Sequence, residues 1–275
     1  MTEHESAKKA VDVGVRKSQL LVTRFSHYVL RSVLAGLYLS LVVMVFWSLQ
    51  QGLSSSPFGK VIASAFFGVG LCIIVFTEAE LFTSNCFYLA MATFARQTSW
   101  KRAMLVLGVS WLGNFCGALL LAFIFYQSGC LTSLPADHAL FSGAIHKVQQ
   151  SFSVLFWKGV LANWVVCLAV WMALRLKEET AKMITMILVV FTFLYLGFEH
   201  SIANMGTFCF SLMSGGAFKV GDAVRNLACC TLGNFVGGAL LVGWVYAVLG
   251  RVKTSNDIVS VSSSSSTLST EPRTI

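Results

Sequence analysis

The sequence predicts an all-α membrane protein with six transmembrane spans, arranged as an inverted 3+3 repeat that contains two broken helices. Three observations carry that expectation. Hydrophobic residues make up 56% of the 275-residue chain, charged residues 12%, and the mean hydropathy is +0.74; most of the solvent of such a chain is lipid. Two apolar runs, Val61 to Ala95 and Ile184 to Phe218, exceed the about 20 residues that one spanning helix needs. Each carries its acidic, basic or histidine side chains only near the centre, Glu78 and Glu80 in the first and Glu199 and His200 in the second. Finally, Leu112-Gly113-Asn114-Phe115 recurs as Leu232-Gly233-Asn234-Phe235 at an offset of 120, and Glu80 and Glu199 lie 119 apart.

The elements follow in order. Residues 1–31 hold Lys8, Lys9, Arg16, Lys17, Arg24 and Arg31 among scattered apolar residues, without the continuous apolar core of a cleavable signal peptide. They are expected to remain as a cytoplasmic amphipathic arm, either lying on the membrane surface or gating a pore mouth. The first span runs from about Ser32 to Leu49, and a loop with Pro57 and Lys60 leads into the first broken run. After Arg96, Lys101 and Arg102 comes span three, Ala103 to Tyr126. The connection Gln127 to Gln150 carries Asp137, His138, His146 and Lys147, and span four, Phe152 to Leu174, is interrupted by Lys158. A charged loop, Arg175 to Lys182, precedes the second broken run, and the last span covers Asn226 to Gly250. Residues 32–250 thus form the transmembrane domain, and residues 251–275, with Ser262 to Ser266 consecutive, are expected to be a disordered cytoplasmic tail.

Lys and Arg concentrate in the arm, the 96–102 and 175–182 loops and the start of the tail, which places both termini in the cytoplasm. That distribution accounts for the net charge of +8 and the pI near 9.2 without nucleic acid as a partner. The eight cysteines (Cys72, Cys86, Cys116, Cys130, Cys167, Cys209, Cys229, Cys230) show neither metal-type spacing nor a paired framework. They read as small core residues, and no metal or cofactor is expected. Each half of the repeat holds three spans, an odd number, so the second half enters the membrane upside down relative to the first. Gly113 with Gly117, and Gly233 with Gly237, give matching Gly-x-x-x-Gly pairs suited to close helix approach.

Polar breaks at mid-membrane depth are the pattern of a transport site. The second halves of the two broken runs start near Thr83 and Asn204, so backbone N–H groups and partial positive charge collect there and favour an anion. Thr83, Ser84 and Ser201 either cap helix starts or donate to a passing anion. His200 exchanges protons near neutrality when unperturbed, and an ionisable residue in the membrane points to function because its insertion is costly. Glu199 either orients the imidazole or braces the break, and Glu80 is expected to brace the other. Lys158, about 9 Å from the end of its span at helical rise, either snorkels to the interface or draws anions inward. Asn163, deeper on the same span, braces a backbone break or serves a permeant, bracing being the favoured reading.

Gly-Phe-Glu-His-Ser-Ile-Ala-Asn-Met at 197–205 and Glu-Leu-Phe-Thr-Ser at 80–84, with the two Leu-Gly-Asn elements, resemble the formate/nitrite transporter family over roughly residues 25–250. The stretch Phe156 to Trp171, with its Lys158, is most similar to the nitrite channel branch. The resemblance implies an aquaporin-like fold and a homopentamer whose protomers each hold a pore. It implies that His200 is the central pore histidine with Thr83 opposite, that Phe67 and Phe193 form the outer constriction, and that Leu71 and Leu81 form the inner one. The serine-rich tail departs from the family pattern.

A bare anion between Phe and Leu side chains faces a desolvation cost of tens of kcal/mol in the Born limit, whereas a neutral weak acid faces only a few. The expected function is therefore transport of small monovalent weak-acid anions, with nitrite first and formate, hydrosulfide or lactate as alternatives. Attraction by Lys158 and the helix ends is followed by protonation at His200 or by passage of the anion stabilised there. A water or neutral-solute channel, the nearest rival, carries Asn-Pro-Ala at its half-helix starts, and Pro57, Pro135 and Pro272 all lie away from the breaks. An enzyme is not expected, because no His-Glu-x-x-His or Gly-x-Ser-x-Gly surrounds Glu199 and His200.

Overall fold

The computed structural model describes residues 1–250, and the expected serine-rich tail lies outside the described residues. Eleven α-helices run in order: α1 Glu3–Thr23, α2 Phe25–Gly52, α3 Gly59–Phe76, α4 Phe82–Phe94, α5 Trp100–Gln127, α6 Ala139–Gln149, α7 Phe152–Arg175, α8 Glu179–Tyr195, α9 Ser201–Met213, α10 Val220–Gly238 and α11 Val245–Leu249. A π-helical stretch, Ala239–Trp244, joins the last two into one apolar rod.

Five of these segments are long and apolar enough to cross a membrane: α2, α3, α5, α7 and the rod Val220–Leu249. The sixth expected crossing is divided between α8, of 17 residues, and α9, of 13, and neither has the length to span alone. The bundle is therefore all-helical with helices of two lengths. The short ones, α4 and α9, are buried on nearly every side, whereas the long ones keep an apolar face outward, including Leu112, Leu119, Phe123, Trp157 and Leu188. Outward apolar faces are stable only in lipid or against another apolar surface.

The two tightest helix pairs, α2 with α5 and α7 with α10, are made possible by the repeated glycines. Gly113 and Gly117 leave no room for a Cβ against Ser32 and the Val33 carbonyl, and Gly233 and Gly237 leave none against the carbonyls of Phe156 and Val160. Backbone-to-backbone approach of this kind substitutes for the hydrophobic driving force that helices lack in lipid.

The arm is a docked element. Thr2 and Glu5 form a reciprocal cap at the start of α1, Glu5 N–H donating to Thr2 Oγ1 (3.2 Å) and Thr2 N–H to the Glu5 carboxylate (2.8 Å). Ala7, Ala10, Val11 and Leu21 are buried, and Gly14 rides against the Tyr88 carbonyl of α4 with no space for a side chain. Thr98 Oγ1 donates to Ser18 Oγ (3.1 Å), and His4 Nδ1 lies 2.8 Å from the Gly250 carbonyl. One correction concerns the cysteines. Six are buried, but Cys116 and Cys130 are exposed, the first on an outward face of α5 and the second in the turn after it. An apolar surrounding in sequence does not make a side chain face the core when the helix also faces lipid.

Candidate functional site

Residues 77–81 separate α3 from α4, and residues 196–200 separate α8 from α9. The two interruptions are built alike, residue for residue, at an offset of 119. Ala79 N–H donates to the Ile74 carbonyl (3.0 Å) and Phe198 N–H to that of Phe193 (3.0 Å); Glu80 N–H reaches the Arg31 carbonyl (3.1 Å) and Glu199 N–H that of Lys158 (3.3 Å). Each turns on one left-handed residue, Glu78 (φ 54°) in the first and Gly197 (φ 72°) in the second. Glycine takes this conformation freely, whereas a residue with a Cβ is strained by it.

Two asparagines from the repeated Leu-Gly-Asn-Phe elements staple the breaks. Asn114 Oδ1 accepts the Phe82 N–H (2.9 Å) while its Nδ2 donates to the carbonyls of Ser32 (2.7 Å) and Glu80 (2.9 Å). Asn234 Oδ1 accepts the Ser201 N–H (2.8 Å) while its Nδ2 donates to those of Gly159 (2.8 Å) and Glu199 (3.0 Å). Buried backbone groups freed by a break need such partners, because no water reaches them. The first N–H group of each short helix is thereby occupied, by Asn114 at Phe82 and by Asn234 at Ser201. Leu81 stands at the start of α4 without a side-chain cap, Ser84 Oγ donates back to its carbonyl (3.1 Å), and the Ser201 hydroxyl has no partner.

The carboxylates form a second matched pair. Glu80, 2% exposed, meets Lys17 Nζ at 2.7 Å and Asn85 Nδ2 at 2.9 Å. Glu199, also 2% exposed, meets Lys147 Nζ at 2.9 Å, Asn204 Nδ2 at 2.7 Å and Gln150 Nε2 at 2.9 Å. The Glu199 carboxylate is thus bonded to these three side chains and not to the His200 ring. Asn204 also donates to Asn226 Oδ1 (2.9 Å), which ties the first turn of α9 to α10.

His200 caps α9: its Nδ1 accepts the Ala203 N–H (3.2 Å), and its Nε2 lies 3.0 Å from Thr83 Oγ1. Because Nδ1 must keep its lone pair to cap, the neutral ring carries its proton on Nε2, pointed at Thr83. Asn163 Nδ2 donates to the carbonyls of Thr83 (3.1 Å) and Asn234 (2.6 Å), so it joins the two breaks. The Phe193 ring stacks on the imidazole with centroids 5.9 Å apart, and Phe67 packs edge-on against Phe193 at 5.8 Å.

Three cavities lie in series. The middle one, about 10 Å³, is lined by Phe67, Leu71, Leu81, Phe193 and His200 together with Ile74 and other aliphatic residues. It shares Phe67 with a cavity of about 250 Å³ that Lys60, His146, Lys147, Lys158, Glu199 and Asn204 line. It shares Ile74 with a third, of about 490 Å³, lined by Arg16, Lys17, Arg31, Glu78, Glu80 and Ser84. One polar side chain, His200, thus lines an apolar waist between two charged vestibules. Of the residues singled out from the sequence, His200, Phe67, Phe193, Leu71 and Leu81 line the waist with Thr83 bonded behind His200, Lys158, Glu199 and Asn204 line one vestibule, Glu80 and Ser84 line the other, and Asn163 bonds both breaks. Sequence reasoning did not single out Lys17, Lys147, Gln150 or Asn85, and it read Asn114 and Asn234 as repeat markers only. The spacing Glu-x4-Asn, present at both Glu80 and Glu199, was the available signal for Asn85.

An all-helical membrane protein with a narrow apolar waist, lined by one histidine, between two charged vestibules is a channel or transporter in form. The comparisons narrow this: residues 4–248 match the formate/nitrite transporter family model, and the chain belongs to that family. It is 34% identical to the uncharacterized transporter YwcJ of Bacillus subtilis (strain 168), over 90% of this chain and 98% of that one. It is 35% identical to the nitrite transporter NirC of Escherichia coli (strain K12), over 78% and 80%. Among solved structures it is similar to an FNT family ion channel, with a TM-score of 0.85 and 29% identity over 89% of this chain and 98% of that one. It is also similar to a pentameric formate channel with formate bound, with a TM-score of 0.69 and 28% identity over 82% and 96%. The family consists of transporters and channels, not enzymes.

Proposed function

We propose that the protein conducts small monovalent weak-acid anions, nitrite first, through a pore whose centre is the Thr83–His200 pair. The observation that carries this reading is the narrow cavity that His200, hydrogen-bonded to Thr83, lines together with Phe67, Phe193, Leu71 and Leu81. Such a waist opposes a hydrated ion, and the hydroxyl and the Nε2–H of the imidazole offer donors to an anion that has shed its water. Proton exchange at His200 makes the flux pH-dependent: a second proton must enter at Nδ1, which then releases the Ala203 N–H. Nitrite is supported by the likeness to the nitrite transporter of E. coli, and the likeness to a formate-bound channel favours formate as the second reading.

The architecture we propose is six crossings in an inverted 3+3 repeat, with α3–α4 and α8–α9 each counted as one broken crossing. Its support is the recurrence of the break bonds, the asparagine staples and the Glu–Asn pairs at offsets of about 119 and 120, with a lysine on each glutamate. Residues 1–31 are then the arm and 32–250 the channel domain. Both termini are cytoplasmic by the distribution of Lys and Arg, which makes the α1 vestibule the inner one and the Lys158 vestibule the outer one. A homopentamer is supported by the pentameric neighbour and by the outward apolar faces.

The test is a substrate panel in proteoliposomes, with nitrite, formate, hydrosulfide, lactate and glycerol offered in turn. Uptake of nitrite and formate without glycerol is expected. Glycerol or water permeation without anion uptake would overturn the reading in favour of a neutral-solute channel.

A further inference from the structure

The vestibule on the α1 side has a charge balance that the transport reading does not use. Three cations line it, Arg16 and Lys17 from α1 and Arg31 from α2, against two carboxylates, Glu78 and Glu80. Lys17 is paired with Glu80 at 2.7 Å and Arg31 with Glu78 at 3.1 Å. Arg16 has no acidic partner among the described residues, so the surplus positive charge of this cavity resides on its guanidinium. Arg16 is exposed on the cavity wall, and the helix that carries it is docked: Gly14, two residues earlier, is pressed on the Tyr88 carbonyl, and Ser18, two residues later, is bonded by Thr98.

We propose that Arg16 is an anion-binding subsite at this mouth, taking a small monovalent oxyanion or carboxylate, and that α1 is thereby part of the permeation path. The inference rests on the anion-channel reading above. A guanidinium presents two parallel N–H donors that match the two oxygens of a bent O–X–O anion, which an ammonium does not. Its position on a cavity wall beside the waist raises the local anion concentration without closing the path. Pairing of Lys17 to Glu80 serves the same end, because an unpaired Glu80 would repel the anion that Arg16 attracts.

The experiment uses the full chain inserted in one orientation in planar bilayers, with nitrite titrated on one face at a time at about 0.1 M salt. For Arg16→Gln, the half-saturating nitrite concentration on the α1 face should rise about fivefold, while the value on the Lys158 face stays unchanged. Arg16→Lys should give an intermediate value, since charge is kept and the fork is lost. Equal half-saturation for Arg16→Gln and the unmodified protein, or an equal rise on both faces, overturns the subsite. If the unmodified protein carries neither nitrite nor formate current, the transport reading fails and the subsite fails with it. If it carries current and Arg16→Gln is superimposable on it, the subsite alone fails.

Discussion

Thr83 Oγ1 and His200 Nε2 stand 3.0 Å apart although 117 positions separate them in the chain, because each residue lies at the start of a short helix that follows a break. The contact is where the two halves of the chain meet. It is held from behind by Asn163, which donates to the carbonyl of Thr83 and to that of Asn234.

Replacing Thr83 by Val keeps the shape and removes the hydroxyl. One net hydrogen bond is worth about 1 kcal/mol, so nitrite flux should fall roughly fivefold. Thr83→Ser should retain most of it, and equal flux in Thr83→Val would remove the hydroxyl from the pathway.

The asparagine staples predict a stability effect. Asn114→Leu or Asn234→Leu leaves a buried N–H and two carbonyls short of their partner, at about 1–3 kcal/mol for each group left unsatisfied. Melting in detergent should show a large loss for either variant. The two losses should be similar, since the bonds are the same in kind and number.

A third expectation concerns the left-handed turns. A Cβ at Gly197 meets open space, so Gly197→Ala should destabilise by about 1–2 kcal/mol through backbone conformation alone. At the matching position Glu78→Gly should relieve strain of that order, less the modest value of the exposed Arg31 pair. A melting shift of opposite sign in either variant contradicts the matched-turn account.

The Lys147–Glu199 pair joins α6 to the second break. Lys147→Met strands a buried carboxylate and should cost about 3–5 kcal/mol, whereas the double variant with Glu199→Gln should cost less than Lys147→Met alone. A double-variant melt below that of Lys147→Met would show that the pair does not act as a unit.

Acid should weaken the same region from outside the membrane. His138 caps α6 with its Nδ1 accepting the Leu140 N–H (3.2 Å), and burial holds it below the usual histidine range, the nearby Asp137 opposing. The folded state therefore prefers the neutral ring. Its contribution is complete above the unfolded value of about 6.5 and is lost as pH falls through the lower folded value. His138→Asn, which still caps, should remove that part of the acid loss when melts at pH 8 and 5.5 are compared.

Much of this site was legible because rarity carries information in an apolar chain. Glu80, Glu199 and His200 stood out as the few charged or titratable groups in long lipid-compatible runs, and the repeated Leu-Gly-Asn-Phe located the second copy of each contact. The stapling role of Asn114 and Asn234 was hidden, since their partners are main-chain groups on other helices that no side-chain pattern reveals. Lys17 and Lys147 were hidden for a related reason. They lie 63 and 52 positions from the carboxylates they neutralise, Lys17 in an arm whose basic character orientation in the membrane already explains and Lys147 in a connection with nothing to mark it. A buried carboxylate demands a cation, but sequence does not say which one. The count of spans was affected by the breaks themselves, which divide an expected crossing into pieces of 17 and 13 residues.

The central proposal is that an imidazole in an apolar waist governs the passage of a weak-acid anion. It is tested most directly by nitrite flux into proteoliposomes measured from pH 5 to 8 for the unmodified protein and for His200→Asn. Flux through the unmodified protein should change with pH and that dependence should be lost in the variant, with the folded oligomer intact by size exclusion. The same pH profile in both proteins would contradict the account.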